Sequence, residues 1–263
     1  PILIDLSYIH SFFPPVIAQN ANFQKHILKE YIQLMVLDFL SNTSYITKLT
    51  FIGGTNLRLI KHIDRFSEDI DFDCMDMTED EFITMTDDVI NLLRREGLNV
   101  MANDKSNDKL TAYRRRIFFP EFLFELGLTG HKDERFLLKI DAQDQGVKYE
   151  VEQRNVSGCG YYFSVPVPPD AVLLSMKLSA LLSRAKGRDF YDTMFLMQQT
   201  EPSYSFLFEK CGLRTHEELK KALILKLSDV ELSVKKRDFE HLLFNVHASD
   251  RILRFREFIE EKL

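Results

Sequence analysis

The spacing of apolar residues predicts helices over the first 45 residues and short strands after them. Over residues 16–40, apolar side chains recur at three- and four-residue steps, which is the period of an α-helix. Residues 49–52 form a short apolar run that ends at two glycines, a pattern typical of a strand followed by a turn. Helical spacing returns over residues 57–63, so the sequence predicts a strand, a glycine turn and a helix in succession.

The rest of the pattern divides the chain into a mixed half and a helical half. An amphipathic helix is predicted over 79–96, and strands are predicted at 70–74, 110–119, 121–128, 135–142 and 161–165. Prolines at 166, 168 and 169 mark the sharpest change in composition. Helices are predicted after them over 170–184, over 189–198 and in several pieces between 215 and 263. We therefore expect an α+β fold with two domains, 1–166 containing the sheet and 167–263 being helical.

Composition indicates a folded, cytoplasmic protein without a membrane span. The chain has 263 residues, 45% of them hydrophobic, with only 10 Gly and 8 Pro, which excludes disordered and collagen-like classes. No apolar stretch approaches the ~18 residues of a membrane helix, and no secretory signal is visible at the start. Cysteines 74, 159 and 211 are odd in number and far apart, so we expect neither disulfides nor a cysteine zinc site. A net charge of −6 leaves room only for local basic patches.

The densest chemical signal is the acidic run at residues 68–73. Side chains alternate faces along a strand, so Asp69, Asp71 and Asp73 are predicted to share one face. Ile70 and Phe72 are predicted to face a core on the other side. Three carboxylates on one face repel each other unless a cation lies among them, and oxygen ligands suit Mg²⁺.

The acidic run has two other interpretations besides a metal site. A solvated acidic edge strand would show the same alternation, and this interpretation stays open. An EF-hand loop is excluded, because Cys74 stands where that loop needs glycine.

The glycine turn that precedes the acidic run suits a phosphate. Gly53 and Gly54 allow close approach of a ligand to the backbone, and the helix start that follows offers unpaired N–H groups. The turn is not a Walker A loop, because no Gly-Lys-Ser/Thr follows. Thr55 lies 14 residues before Asp69, and a phosphate site beside a carboxylate pair fits a nucleoside triphosphate with a metal ion.

These motifs resemble the nucleotidyltransferase superfamily that includes DNA polymerase β, whose signature is a Gly-Gly or Gly-Ser turn followed by Asp-x-Asp. The segments Gly-Gly-Thr-Asn-Leu-Arg-Leu (53–59) and Arg-Phe-Ser-Glu-Asp-Ile-Asp-Phe (65–72) are closer to one branch. That branch is the AbiEii/AbiGii-type toxins of bacterial type IV toxin–antitoxin and abortive-infection systems. A second block, from Lys177 to Arg-Asp-Phe-Tyr-Asp (188–192), is similar to the same branch. The resemblance covers about residues 46–196 and implies a polymerase β-like core followed by a helical region.

The resemblance implies roles for the residues of the first block. Nucleotide binding falls to the turn and to two residues of the second motif, namely Gly53, Gly54, Thr55, Arg65 and Ser67. Asp69 and Asp71 would bind the metal. A third carboxylate on a neighbouring strand is best matched by Asp141, with Asp144 as the alternative. Asp141 would ligate a second Mg²⁺ and help to deprotonate an attacking hydroxyl.

In the second block, the resemblance assigns Lys177 to a nucleotide phosphate and Asp192 to catalysis. Asp192 would orient Lys177 or another cation, or bind the nucleotide, and Arg188 would contribute to nucleotide binding. Arg188 and Asp192 also have the i,i+4 spacing of a helical ion pair. Without the first block, an ordinary solvated helix with weak salt bridges would explain these residues equally well.

The implied function is a Mg²⁺-dependent toxin that transfers NMP from an NTP to RNA, with a tRNA 3′ end as the family-based acceptor and a cognate antitoxin as partner. Two Mg²⁺ ions are expected. Basic runs at 114–116, 220–221 and 235–237 could contact an RNA backbone, although such runs are usually solvated surface. Two alternatives stay open: nucleotidylation of a small molecule or protein hydroxyl, and an inactive fold kept as a binding module.

Overall fold

A computed structural model describes residues 4–103 and 112–263, which fall into two units. The sheet unit comprises Pro1–Lys61, Phe66–Gln145 and Gln153–Val167. The helical unit comprises His62–Arg65, Gly146–Glu152 and Pro168–Leu263. Two short inserts of the helical unit therefore lie inside the predicted first domain, and the predicted boundary between 166 and 167 stays a prediction.

A five-stranded mixed sheet forms the centre of the sheet unit. Its strands and those of a separate two-stranded sheet are β1 Leu49–Ile52, β2 Asp69–Cys74, β3 Met101–Ala102, β4 Tyr113–Phe118, β5 Leu137–Gln143, β6 Glu152–Gly158 and β7 Tyr161–Val167. The strand order is β1-β2-β5-β4-β3, and β6 pairs with β7. β2 runs parallel to β5, whereas the β1–β2, β5–β4 and β4–β3 pairs are antiparallel.

Helices occupy most of the remaining described chain. The α-helices of the sheet unit are α1 Leu6–His10, α2 Pro15–Ala18, α3 Gln24–Ser41, α4 Gly53–Lys61, α5 Glu79–Arg95 and α6 Phe122–Glu125. Those of the helical unit are α7 Asp170–Ser183, α8 Gly187–Met197, α9 Tyr204–Cys211, α10 His216–Leu227, α11 Leu232–Lys235 and α12 Phe255–Lys262. Short 3₁₀ segments lie at Ala21–Phe23, Ser44–Lys48, Lys236–Asp238, Glu240–Leu242 and Val246–Arg254. None of the described helices has the length and apolar character needed to cross a bilayer.

The two faces of the five-stranded sheet differ in polarity because side chains alternate along each strand. Ile70, Phe72 and Ile140 are buried on one face. On the other face, β5 carries half-buried Lys139 and Asp141. Helix α5 contacts β4 and α3, so apolar burial holds these elements together. The polar face therefore presents charged side chains that could take part in binding or catalysis.

The predicted strands differ from the observed ones in two ways, each with an identifiable reason. The predicted strand at 121–128 is wrong, since α6 lies there, and Glu121, the residue before the helix, has a left-handed φ of 56°. Phe122 instead packs its ring against Phe119 and Phe136, and a short apolar run does not distinguish a buried helical turn from a strand. Strands β3 and β6 were missed. Strand β3 has only two residues, and β6 is mostly polar and buries only Val156. Residues 110–111 of another predicted strand lie outside the described residues.

Aromatic rings pack the interior of the helical unit. The rings of Phe190 and Phe255 meet edge to face at 4.9 Å, and Tyr191 lies 5.3 Å from Phe239. Gly187 begins α8 where a Cβ atom would lie 2.0 Å from the Lys235 carbonyl oxygen, so only glycine fits. Its N–H donates to the Asp238 carboxylate at 2.9 Å. These contacts fix the start of α8, which carries the charged residues of this unit.

Candidate active site

In the sheet unit, the carboxylates of Asp69 and Asp71 lie on the half-buried face of β2. The alternating residues Ile70 and Phe72 are 0% and 2% exposed, so burial of the opposite face holds the strand in this register. Asp73, the third acid of the run, is buried and its Oδ1 accepts the Gln145 backbone N–H at 2.9 Å. The structure therefore places Asp69 and Asp71 together and gives Asp73 a structural contact.

Strand pairing brings Asp141 beside Asp71. Asp71 on β2 is the Cα partner of Asp141 on β5, and Asp141 is in turn the partner of Arg114 on β4. Paired residues point to the same face, so these three side chains form one row across three strands. A parallel row contains Asp69 and Lys139.

Two cations hold the acids of this face. Arg114 donates Nε to Oδ1 and Nη2 to Oδ2 of Asp141, both at 2.8 Å. Lys139 Nζ lies 3.2 Å from Asp69 Oδ2. Hydrogen bonding to Asp141 raises the pKa of Arg114, and the charges of Asp69 and Asp71 raise it further. The guanidinium therefore interacts with all three acids while it is bonded to one.

The glycine turn approaches the second acid closely. Gly53 has a φ of +80°, and a Cβ atom at this position would lie 2.7 Å from Asp71 Oδ2. Helix α4 begins at Gly53, so its first N–H groups lie at the turn. The requirement for glycine here is thus both conformational and steric, and it joins the phosphate-type turn to the acid pair.

Thr55 and Ser67 connect the turn to β2. The Thr55 hydroxyl donates to the Asp69 carbonyl oxygen, and its oxygen lies 2.9 Å from the Ser67 hydroxyl oxygen. Gln33 Nε2 of α3 donates to the Ser67 carbonyl at 3.0 Å. Thr55 is fully buried, so its side chain fixes the turn against the strand that carries the acids.

Gly53→Ala is expected to lower activity about a hundredfold, because the added methyl displaces the Asp71 carboxylate and a shift of about 1 Å at a reacting centre has an effect of this size. The matched control is Gly127→Ala, which has a similar φ of +74° but nothing within 4 Å of the added Cβ. Both changes place alanine in a left-handed conformation, at a cost of roughly 1 kcal/mol in folding free energy. Steady-state rates and urea unfolding of both variants test this. Equal losses of activity would contradict the role given to Gly53.

The donor set partly fits a divalent cation. Within residues 4–103 and 112–263, no three His, Cys, Asp or Glu side chains are grouped so that they could hold a metal ion. Asp69 and Asp71 offer the carboxylate oxygens that Mg²⁺ prefers, and one or two carboxylates are usual for this ion. Asp141 has both oxygens bonded to Arg114. The first two acids therefore fit as ligands, and the third is already neutralised by a side chain.

A buried ion network lies in the helical unit around Asp192 of α8. Arg65 donates Nε to Asp192 Oδ1 at 2.8 Å and Nη2 to Oδ2 at 2.7 Å. Lys177 Nζ of α7 lies 2.9 Å from Asp192 Oδ2 and 3.5 Å from Asp189 Oδ1. Arg184 holds the same Asp189 through two hydrogen bonds of 2.9 and 2.8 Å. The network fixes Lys177 between two carboxylates.

The spacing argument for Arg188 is corrected by this network. The Asp192 carboxylate is bonded to Arg65 and Lys177, not to Arg188, because Asp192 is fully buried whereas Arg188 is only half-buried. Arg65, predicted to bind nucleotide, is 1% exposed and uses its guanidinium on Asp192. Asp189 was missed as a partner of Lys177, although the Arg-Asp-x-Tyr-Asp motif contains it.

Asp64 and Tyr191 extend the network by one residue on each side. The Tyr191 hydroxyl donates to Asp64 Oδ1 at 2.6 Å and accepts from Arg251 Nη1 at 2.9 Å. Burial raises the pKa of Tyr191, and the bond to Asp64 raises it further. Asp64 and Arg65 therefore hold two consecutive residues of α8, which anchors the insert His62–Arg65 in the helical unit.

The stability of the protein is expected to fall as the pH drops from about 4 to about 2, because Asp192 becomes protonated there. Burial alone would raise the pKa of Asp192, but the charges of Arg65 and Lys177 outweigh it and lower the pKa to about 2. A depressed carboxyl pKa stabilises the folded state above the unfolded pKa, here by roughly 2 kcal/mol, and the effect disappears through the folded pKa. Unfolding free energies of wild type and Asp192→Asn across this range test it. Identical pH dependences would contradict the assignment.

Comparison with known proteins relates the chain to nucleotidyltransferases. A family model described as Nucleotidyl transferase AbiEii toxin, Type IV TA system, matches residues 36–261. No curated protein sequence matches the chain.

Two solved structures are similar over nearly the whole chain. MenT4, a nucleotidyltransferase toxin from Mycobacterium tuberculosis, has a TM-score of 0.58 at 17% identity, covering 98% of this chain and 90% of that one. JHP933 from Helicobacter pylori has a TM-score of 0.51 at 18% identity, covering 91% and 94%. At these identities the likeness concerns the fold, and it confirms the α+β nucleotidyltransferase architecture predicted from the sequence.

Proposed function

Because the chain belongs to the AbiEii family of nucleotidyl transferase toxins from type IV toxin–antitoxin systems, we propose that it transfers NMP from an NTP to an RNA end, preferably a tRNA 3′ end. The family makes it a nucleotidyltransferase with an NTP donor and an antitoxin partner. One observation carries the proposal: Asp69 and Asp71 share a face of β2, and the Gly53 turn reaches the Asp71 carboxylate.

Asp69 and Asp71 are the side chains proposed to hold Mg²⁺, which when bound neutralises charge on the triphosphate and favours departure of pyrophosphate. The family-based expectation is two ions with Asp141 as a third ligand. Arg114 occupies both Asp141 oxygens, so support from the geometry is strongest for the Asp69–Asp71 pair.

The protein's own groups orient the donor and the acceptor. The N–H groups at the start of α4 are proposed to bind phosphate oxygens, as helix starts commonly do. Lys177, held by Asp189 and Asp192, is proposed to contact a nucleotide phosphate. Each oxygen of Asp141 keeps a further lone pair beyond its bond to Arg114. Asp141 is therefore proposed to accept the proton of the acceptor hydroxyl as it attacks the α-phosphorus in line.

A row of cations beside the acids supports a polynucleotide acceptor. Arg114 and Arg116 alternate with buried residues of β4, and Arg116 is the strand partner of Lys139. These three side chains lie on the same sheet face as the acid pair. Arg114 and Lys139 are paired with Asp141 and Asp69, so Arg116 is the member of this row whose positive charge favours an acceptor with a phosphate backbone. A small-molecule acceptor would need no such row.

Labelling with each of the four α-³²P-NTPs in Mg²⁺ tests the proposal. The full chain is incubated with total RNA, and the RNA, protein and small-molecule fractions are separated. We expect label in RNA of tRNA size, removable by a 3′ exonuclease. Label confined to the protein or small-molecule fraction would instead establish the alternative acceptors. The Asp69→Asn/Asp71→Asn chain serves as the blank.

A further inference from the structure

We propose that Arg114 takes the place of a second divalent ion at Asp141, so that the centre binds one ion, through Asp69 and Asp71. The inference rests on the proposed function, because it assumes that the Asp69–Asp71 pair is the metal site. It assigns Arg114 as a positioning residue, which acts on the reaction through Asp141.

The first support is the geometry of the ion pair. Asp141 lies between Asp71 and Arg114 in one row across three hydrogen-bonded strands. Arg114 and Asp141 share two parallel hydrogen bonds of 2.8 Å, the two-point arrangement that a planar guanidinium favours. Their side chains are 24% and 16% exposed, so the pair is largely withdrawn from water, which strengthens it.

The second support is the local charge balance. The three carboxylates Asp69, Asp71 and Asp141, counted with the two cations that are ion-paired with them, Arg114 and Lys139, carry one net negative charge. One Mg²⁺ brings this group to one positive charge. Two Mg²⁺ ions would give the same net charge to three carboxylates without the side-chain cations. Arg114 and Lys139 together therefore supply the positive charge that a second ion would bring.

The third support is electrostatic exclusion. A divalent ion at Asp141 would have to displace Arg114 from both oxygens or lie directly beside its guanidinium, and like charges at such distances repel strongly. Arg114 also interacts with the charges of Asp69 and Asp71, so moving it weakens its attraction to all three acids.

Mn²⁺ binding to the full chain, counted by EPR of the free ion, tests the inference without measuring activity. Wild type is expected to bind one Mn²⁺. Asp141→Asn is expected to keep this one site, because Asp141 is not a ligand, but with weaker affinity, because a negative charge beside Asp71 is lost. Arg114→Gln is expected to gain a second site, which the double variant Arg114→Gln/Asp141→Asn loses again. Arg116→Gln, on the same strand and face, is the matched control and should bind as wild type does.

Arg114→Lys keeps the charge without the two-point contact, and it is expected to bind the second ion at least tenfold more weakly than Arg114→Gln. Thermal unfolding checks that each variant is folded. Two sites in wild type, one of them lost in Asp141→Asn, would overturn the inference and leave the proposed function standing. Binding that survives in both Asp69→Asn and Asp71→Asn would instead contradict the proposed function, and the inference with it.

Discussion

Asp71→Asn is expected to lower the rate of nucleotidyl transfer by about a thousandfold, which corresponds to roughly 4 kcal/mol of lost transition-state stabilisation. The substitution keeps the size of the side chain and removes the charge that would hold a divalent ion at the triphosphate, where a metal contributes several kcal/mol. Asp71 is half-buried on the polar face of β2, so the fold should tolerate the change. Single-turnover labelling of RNA under saturating NTP measures the effect.

The control for this prediction is Asp73→Asn on the same strand and face. Asp73 accepts the Gln145 backbone N–H, and the asparagine oxygen can accept the same bond, so activity should change by no more than a few-fold. Equal losses in both variants would mean that activity depends on the total negative charge of β2 and not specifically on the Asp69–Asp71 pair. An Asp71→Asn protein with wild-type rate would remove the basis of the proposed centre.

Asp192→Ala is expected to reduce the free energy of unfolding by about 3–5 kcal/mol, the usual effect of removing one partner from a buried ion pair. The change leaves Arg65 inside the protein without its two-point partner, and it takes one of two carboxylates from Lys177. Arg65 is 1% exposed, so water cannot replace the lost contact without a rearrangement. Urea denaturation followed by fluorescence or circular dichroism measures the loss.

Asp250→Ala is the matched control for burial. Asp250 also pairs with a lysine, Lys236 at 2.8 Å, but its side chain is 56% exposed, and surface pairs of this kind contribute little. We expect its unfolding midpoint to stay close to that of wild type. If the two alanine variants unfolded at the same denaturant concentration, the buried ion pairs of Asp192 would contribute no more to stability than the exposed pair of Asp250.

Local sequence signals predicted the elements that position the acids. Period-two alternation predicted β2, and the Gly-Gly pair predicted the turn at which α4 begins, because both signals depend on neighbouring residues. Helix α5 was predicted from its amphipathic spacing, and in the structure Thr78 and Glu81 form a reciprocal capping box at its start. These predictions were confirmed because, at each element, the local backbone preference and the pattern of buried residues favour the same structure.

Ion pairs between residues far apart in the chain could not be predicted from the sequence. Arg65 and Asp192 are 127 positions apart, and nothing in either motif specifies that they bond. The resemblance named both residues without joining them. Arg114 was noticed only as part of a basic run, since its bond to Asp141 depends on the order of strands in the sheet. Assignment of an ion pair needs topology, which periodicity does not contain.

The insert His62–Arg65 has a consequence for dissecting the protein. It is covalently placed between α4 and β2, yet Asp64 and Arg65 make their side-chain bonds to Tyr191 and Asp192. A fragment that begins at residue 168 would lack the guanidinium that neutralises Asp192. No single cut of the polypeptide therefore releases the helical unit intact. Two separately expressed halves could complement each other only if the four-residue insert bound again to Tyr191 and Asp192.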